Sequence, residues 1–175
     1  MPRPIHLPIA VLLLTIGAPP RPAAASPSHI RTTSAPLQTL IAAGIARSPT
    51  FHKLVDQLEA SDVVVYVNFR MFNEPDLGGQ ISFVGAAGGL RYLQIFVAPL
   101  TDLNCLAILG HELRHAVEIA SAPSVVDSAS MARCYARIGF TVTPYAHRFD
   151  TRNAVECGQR VYREALTRTR GADGP

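Results

Sequence analysis

Residues 110–120, GHELRHAVEIA, place His111 and His115 four positions apart with Glu112 between them. On a helix that spacing puts the two imidazoles one turn apart, about 6 Å along the axis and roughly 40° around it, so both can grip one cation. Neutral imidazole suits Zn²⁺. Glu112 follows His111 by about 100° around the helix, where it flanks such an ion and can take a proton from water. Zinc acidifies water and polarises a carbonyl, and the carboxylate can pass the proton on to a leaving amine. The chemistry indicated is metal-assisted hydrolysis, whereas two histidines without Glu112 would indicate metal binding alone.

A catalytic zinc takes three protein ligands and keeps one position open, so a third ligand is required. Three acidic residues downstream are candidates. Glu118 has nearly the azimuth of His111 but belongs to the same straight helix, and it also suits an ion pair with Arg114 or an acceptor for an imidazole N–H. Glu156 lies four residues before Arg160, the order that favours a solvated ion pair. Asp150 falls in line with Ala154, Gly158, Val161 and Ala165, the inward stripe of the last helix, and an inward carboxylate calls for a cation or donors. The expected metal ligands are His111, His115 and Asp150, with Glu118 next in order; the competing role for Asp150 or Thr151 is to cap the helix. Tyr145 and His147 are the polar residues nearest Asp150 in sequence that could stabilise an oxyanion. Arg70, Asn73 and Arg91 carry no signal.

The elements that must position these groups follow from periodicity. Leu37, Leu40, Ile41 and Ile45 recur at helical spacing, and a second helix starts at Ser48 with Pro49 in its first turn. Val63 to Phe69, Gln80 to Ala86 and Leu90 to Ala98 are rich in β-branched and aromatic residues, separated by NEPDLGG and by Gly88-Gly89, and predict strands joined as an antiparallel meander. Thr101 can cap a long helix through Ala120. Leu103, Leu106, Leu109, Gly110, Leu113 and Val117 form its broad apolar face, while Asn104, Ile108, His111, His115 and Glu118 share a stripe turned away from the core toward a cleft. A helix from Asp127 to Ile138 stops at Gly139, FTVTPYAHRF forms a loop or short strand, and a last helix spans Thr151 to Arg168. The order is α-α-β-β-β-α-α-α, an α+β domain over residues 37–168.

The N-terminus bears on compartment. Arg3, the apolar run Ile9 to Ile16, Pro19-Pro20 and Ala23-Ala24-Ala25 have the layout of a secretory signal peptide over residues 1–25, followed by a linker at 26–36. The apolar run is too short to span a bilayer. The mature protein is therefore expected outside the cytoplasm, secreted or periplasmic, with a polar tail at 169–175. Cleavage removes Arg3 and Arg21 and takes the formal charge from +3 to +1, which gives no support to nucleic-acid binding. Cys105, Cys134 and Cys157 are an odd number with no zinc-cluster spacing, and each suits a small buried hydrophobe.

On HELRH, the three strands before it, and the acidic residue opening a later helix at FDTRNAVECGQRV, the chain resembles the zincin metallopeptidases, specifically small gluzincin-like members, over roughly residues 60 to 166. GHELRHAVEIA is also similar to a motif of small secreted bacterial proteins in which the later segment reads Phe-Glu-Thr. The resemblance implies a zinc-dependent peptidase acting on a peptide or protein, with His111 and His115 as ligands, Glu112 as general base, and an upstream edge strand within Leu90 to Ala98 that binds extended substrate. The departure is Asp150 in place of Glu, a shorter carboxylate with less reach. The alternative is a secreted binding module that keeps the scaffold without turnover.

Overall fold

A computed structural model describes residues 28–74, 76–143 and 148–172. The expected signal peptide, residues 26 and 27 of the linker, and residues 173–175 of the tail lie outside them. The described chain runs β1 (Ile30–Arg31), α1 (Ala35–Arg47), α2 (Pro49–Glu59), β2 (Val63–Phe69), β3 (Gly79–Ala87), β4 (Leu90–Val97), α3 (Asp102–Ala120), α4 (Ser128–Ile138), β5 (Phe140–Thr143), β6 (Arg148–Asp150) and α5 (Arg152–Ala172). It is a mixed α+β fold. The stretch read as a linker instead supplies β1, which pairs parallel with β2, and Ser34, which caps α1. The last helix also continues past Arg168 to Ala172.

The sheet departs from the expected meander. Its order is β1-β2-β4-β3, with β4 parallel to β2 and antiparallel to β3. The physical reason lies in the strands. Val63, Val64, Val65 and Val67 of β2 are fully buried, so both faces of this strand are covered, as for a central strand paired parallel on each side. β3 carries Gly, Ser and Gln, is half exposed, and has a register shift between Phe83 and Gly85, which suits an edge. Gly88 and Gly89 have φ of +59° and +79°, the two left-handed residues of a tight hairpin that folds β4 back beside β3. The nine-residue connection from Phe69 to Gly79 is long enough to pass the end of β4, as the bond from Arg70 N–H to Val97 O shows (3.0 Å).

β4 alternates strictly, with Arg91, Leu93, Ile95 and Val97 turned inward against α3. Arg91 is only 4% exposed. Its guanidinium grips Asp62 through two bonds of 2.7 Å and donates to the carbonyls of Ile119 (2.9 Å), Ala122 (2.8 Å) and Val125 (3.1 Å), so it ties the sheet to the C-terminal end of α3. α3 and α5 pack unusually closely. A Cβ on Gly110 would come within 2.9 Å of Val161, and one on Gly158 within 3.0 Å of Ala107 O and 3.1 Å of His111 Cβ. This approach brings the start of α5 over the histidines of α3. Gly139 ends α4 as expected, but its φ of −111° is extended; the glycine serves close approach, since a Cβ would meet Asp150 O at 2.5 Å.

Glu164 of α5 closes the N-terminus of α2, accepting from Ser48 Oγ (2.6 Å), Thr50 N–H (3.0 Å) and Thr50 Oγ1 (2.8 Å). Burial raises its carboxyl, and these donors outweigh burial, leaving its pKa below the ordinary 4.5. Glu164→Ala should cost about 1–2 kcal/mol at neutral pH. Because the folded pKa is depressed, that contribution is complete above 4.5 and lost as pH falls through the lower folded value. Urea unfolding of both proteins at neutral and acid pH checks this: the gap between them must close in acid.

Candidate metal centre

α3 carries His111 and His115 one turn apart, with ring centroids 4.8 Å apart. The β5–β6 hairpin delivers Asp150, and Asp150 Oδ1 lies 3.3 Å from Nε2 of both histidines. Donor atoms held 2.0–2.1 Å from a tetrahedral ion stand about 3.3–3.4 Å apart; the two N···O spacings match that value, and all three donor atoms lie within 4.8 Å of one another. These three residues could hold a metal ion. Two imidazoles and one carboxylate form a mixed nitrogen and oxygen donor set that suits a divalent transition-metal ion. His111 and Asp150, 24% and 20% exposed at their side chains, keep the cluster open to solvent, while His115 is buried.

The helix-cap role that competed for Asp150 is taken by Thr151, whose Oγ1 accepts from Ala154 N–H (3.1 Å). Asp150 Oδ1 accepts from Thr151 N–H (2.6 Å) and faces both histidines. Burial raises its pKa, and hydrogen bonds from His111 and His115 overcome burial and hold it well below the usual carboxylate range. Burial likewise disfavours charge on His115, but its bonds to Asp150 and Glu118 prevail and push its pKa up to about 9. Electrostatically, the cluster is prepared for positive charge.

Glu118 is not brought to the cluster as a ligand. Its Oε2 accepts from His115 Nδ1 (3.0 Å), and its Oε1 accepts from Thr151 Oγ1 (2.8 Å) and faces Arg114 Nε at 3.6 Å. With Nδ1 donating to Glu118, Nε2 is the ring nitrogen that faces Asp150, and loss of its proton would free it to bind a cation. Glu156 is exposed on α5, away from the cluster, and makes no ion pair with Arg160. The expectation that the whole stripe of α3 faces a cleft needs correction: His115 and Glu118 are buried beneath α5 and α4, whereas Asn104 is exposed and Ile108 and His111 are partly open. Tyr145 and His147 lie outside the described residues.

Measured against protein families, curated proteins and solved structures, the chain matches none. The site therefore has to be understood from its own residues. Glu112 is 5% exposed, and among the described residues its carboxylate has no hydrogen-bond partner. Burial raises its pKa against the opposing pull of His115 and His111. It packs against the first residue of β3, where a Cβ on Gly79 would fall 2.5 Å from Glu112 Oε1 and 2.8 Å from Ile108 Cγ2. Gly79 is thus the space into which Glu112 fits. Gly79→Ala is expected to displace the Glu112 carboxylate and leave His111, His115 and Asp150 in place; a metal titration of both proteins tests this, since any affinity for a divalent ion should be unchanged.

Several supporting residues carried no sequence signal. Tyr135 of α4 donates its hydroxyl to His115 O (3.0 Å) and sets its ring edge-on to the His115 imidazole at 5.2 Å. Thr151, legible in the sequence only as a candidate helix cap, also donates to Glu118. Only the pair Gly78-Gly79, immediately before a strand, could have flagged a close backbone approach. Leu90 to Ala98 is not the edge strand expected: β4 is paired on both sides, and the edge nearest Glu112 belongs to β3.

Proposed function

We propose that the protein is a secreted zinc metallopeptidase with a zincin-like site, in which His111, His115 and Asp150 hold the metal and Glu112 is the general base. The observation that carries this reading is the convergence of both Nε2 atoms on Asp150 Oδ1 beside Glu112, a glutamate only 5% exposed. Zinc there supplies a Lewis acid that polarises the scissile carbonyl and acidifies water. Glu112 accepts a proton as water adds to the carbonyl carbon, then delivers it to the departing amine nitrogen as the C–N bond breaks. Its raised pKa suits both transfers, because a carboxylate that holds a proton more tightly is the better base and remains an adequate acid. Glu118 and Tyr135 keep the His115 ring in place.

An extended peptide reaches this site along β3, whose outer edge is unpaired within the sheet and whose first residue touches Glu112. Backbone pairing there binds chain without demanding a sequence. The proposal that the protein is exported rests on residues 1–25; among the described residues, no helix is long and apolar enough to cross a membrane. Metal analysis of the purified mature chain tests the reading. The wild type should hold one equivalent of zinc and His115→Ala should lose it, with peptide hydrolysis abolished by a chelator and restored by zinc. A wild type that stays metal-free after incubation with zinc overturns it. Stoichiometric zinc with no hydrolysis of any peptide would leave the binding module.

A further inference from the structure

On the flank of α3 next to the metal stripe, α2, α3 and α5 enclose a pocket of about 290 Å³. Three cations line it, Lys53, Arg114 and Arg160, against one acidic residue, Glu156. Leu54 and Cys157 form a buried floor, and the remaining polar groups include Thr50 and Asn153.

The cations are poorly satisfied from within the protein. Among the described residues, neither Lys53 nor Arg160 makes an ion pair or hydrogen bond, and Arg114 Nε is buried without a hydrogen-bond partner. The carboxylates nearby are committed elsewhere. Glu164, which feels the charge of Arg160, has its oxygens taken by Ser48 and Thr50. Glu118 stands 3.6 Å from Arg114 Nε and serves His115 and Thr151. Three cations that line one pocket against Glu156, with Glu118 shared between Arg114, His115 and Thr151, favour an anion, and guanidinium groups suit the oxygens of phosphate or carboxylate. The volume is near the lower end of small-molecule pockets, about 300–1,000 Å³.

We propose that this pocket binds a small phosphate- or carboxylate-bearing molecule and that its occupancy is linked to the metal centre through Arg114, Glu118 and His115. An anion that engages Arg114 draws its charge away from Glu118. Glu118 then becomes a stronger acceptor for His115 Nδ1–H, and the imidazole becomes a better ligand. Anion and metal therefore strengthen each other's binding.

Calorimetry on the metal-free full chain tests the pocket independently of the peptidase reading, with inorganic phosphate and succinate as separate probes at constant ionic strength. Saturable binding of one of them is expected, weakened at least ~10-fold in Lys53→Ala/Arg160→Ala. Both replaced side chains are exposed, and circular dichroism verifies that the double variant folds. The linkage is measured with sulfate, which does not compete for zinc as phosphate does. Sulfate should lower the zinc dissociation constant about 5-fold in the wild type and leave it unchanged in the double variant. Absence of saturable binding for both probes, or equal binding by wild type and variant, means an adventitious ion only and overturns the proposal. Binding that leaves zinc affinity unmoved overturns the linkage.

Discussion

Glu112→Gln is expected to retain zinc at wild-type stoichiometry and to lose about 10²–10⁴-fold in hydrolysis, the range contributed by a positioned general base. Glutamine keeps the shape that fits over Gly79 and Ile108, so the packing around the side chain survives. It cannot accept a proton. Glu112 is outside the cluster of His111, His115 and Asp150, and its loss leaves all three donors in place. The carboxylate has no hydrogen-bond partner among the described residues, so the amide breaks no internal bond, and stability should hold or rise slightly. Activity lost together with metal would mean that Glu112 supports the ion, and activity retained would end its role as base. Fold, metal content and turnover measured on one preparation separate these outcomes.

Arg91→Met should destabilise the protein by about 2–4 kcal/mol, because buried carbonyls lose a charged donor while water can solvate the half-exposed Asp62 left behind. At roughly 2–4 °C per kcal/mol for a chain of this size, that corresponds to a fall in Tm on the order of 10 °C. Methionine fills much of the volume, so the loss is polar. Asp62 loses its two 2.7 Å bonds, and the carbonyls of Ile119, Ala122 and Val125 lose their common donor. Those carbonyls include the end of α3, where a helix has no internal donors left. Arg91→Lys should rescue little, because an ammonium group cannot hold a carboxylate by two parallel bonds and reach three carbonyls at once. Asp62→Asn should be milder, since the Asp62 side chain is 44% exposed and water can replace part of the bond. Equal stability of Arg91→Met and wild type by thermal or urea unfolding would refute the clamp.

Much of the site was legible because it is local. HELRH sets two imidazoles one turn apart wherever it is helical, and the helix itself is secured by the apolar face around Leu106, Leu109 and Leu113. Asp150 could be anticipated because the stripe of α5, read backward from Val161 and Ala154, turns it inward. The alternatives for Glu118 were also local, and the structure realises both: it faces Arg114 and accepts from His115. The buried environment of the three free cysteines likewise follows from their apolar neighbours.

Non-local facts were not legible. Strand periodicity tells which face of a residue is buried and nothing about which strand lies beside it, so an antiparallel meander and the observed β1-β2-β4-β3 order share the same pattern. That order makes β3 the edge beside Glu112. Arg91 read as background because a charged residue in an alternating strand declares no partner until the end of α3 is packed over it. The amino-acid order by itself determined which side chains could share an ion, through the pitch of a helix. Tertiary structure alone decided that Asp150 reaches both histidines, because the distance depends on how closely Gly110 and Gly158 let two helices approach across nearly fifty residues of chain.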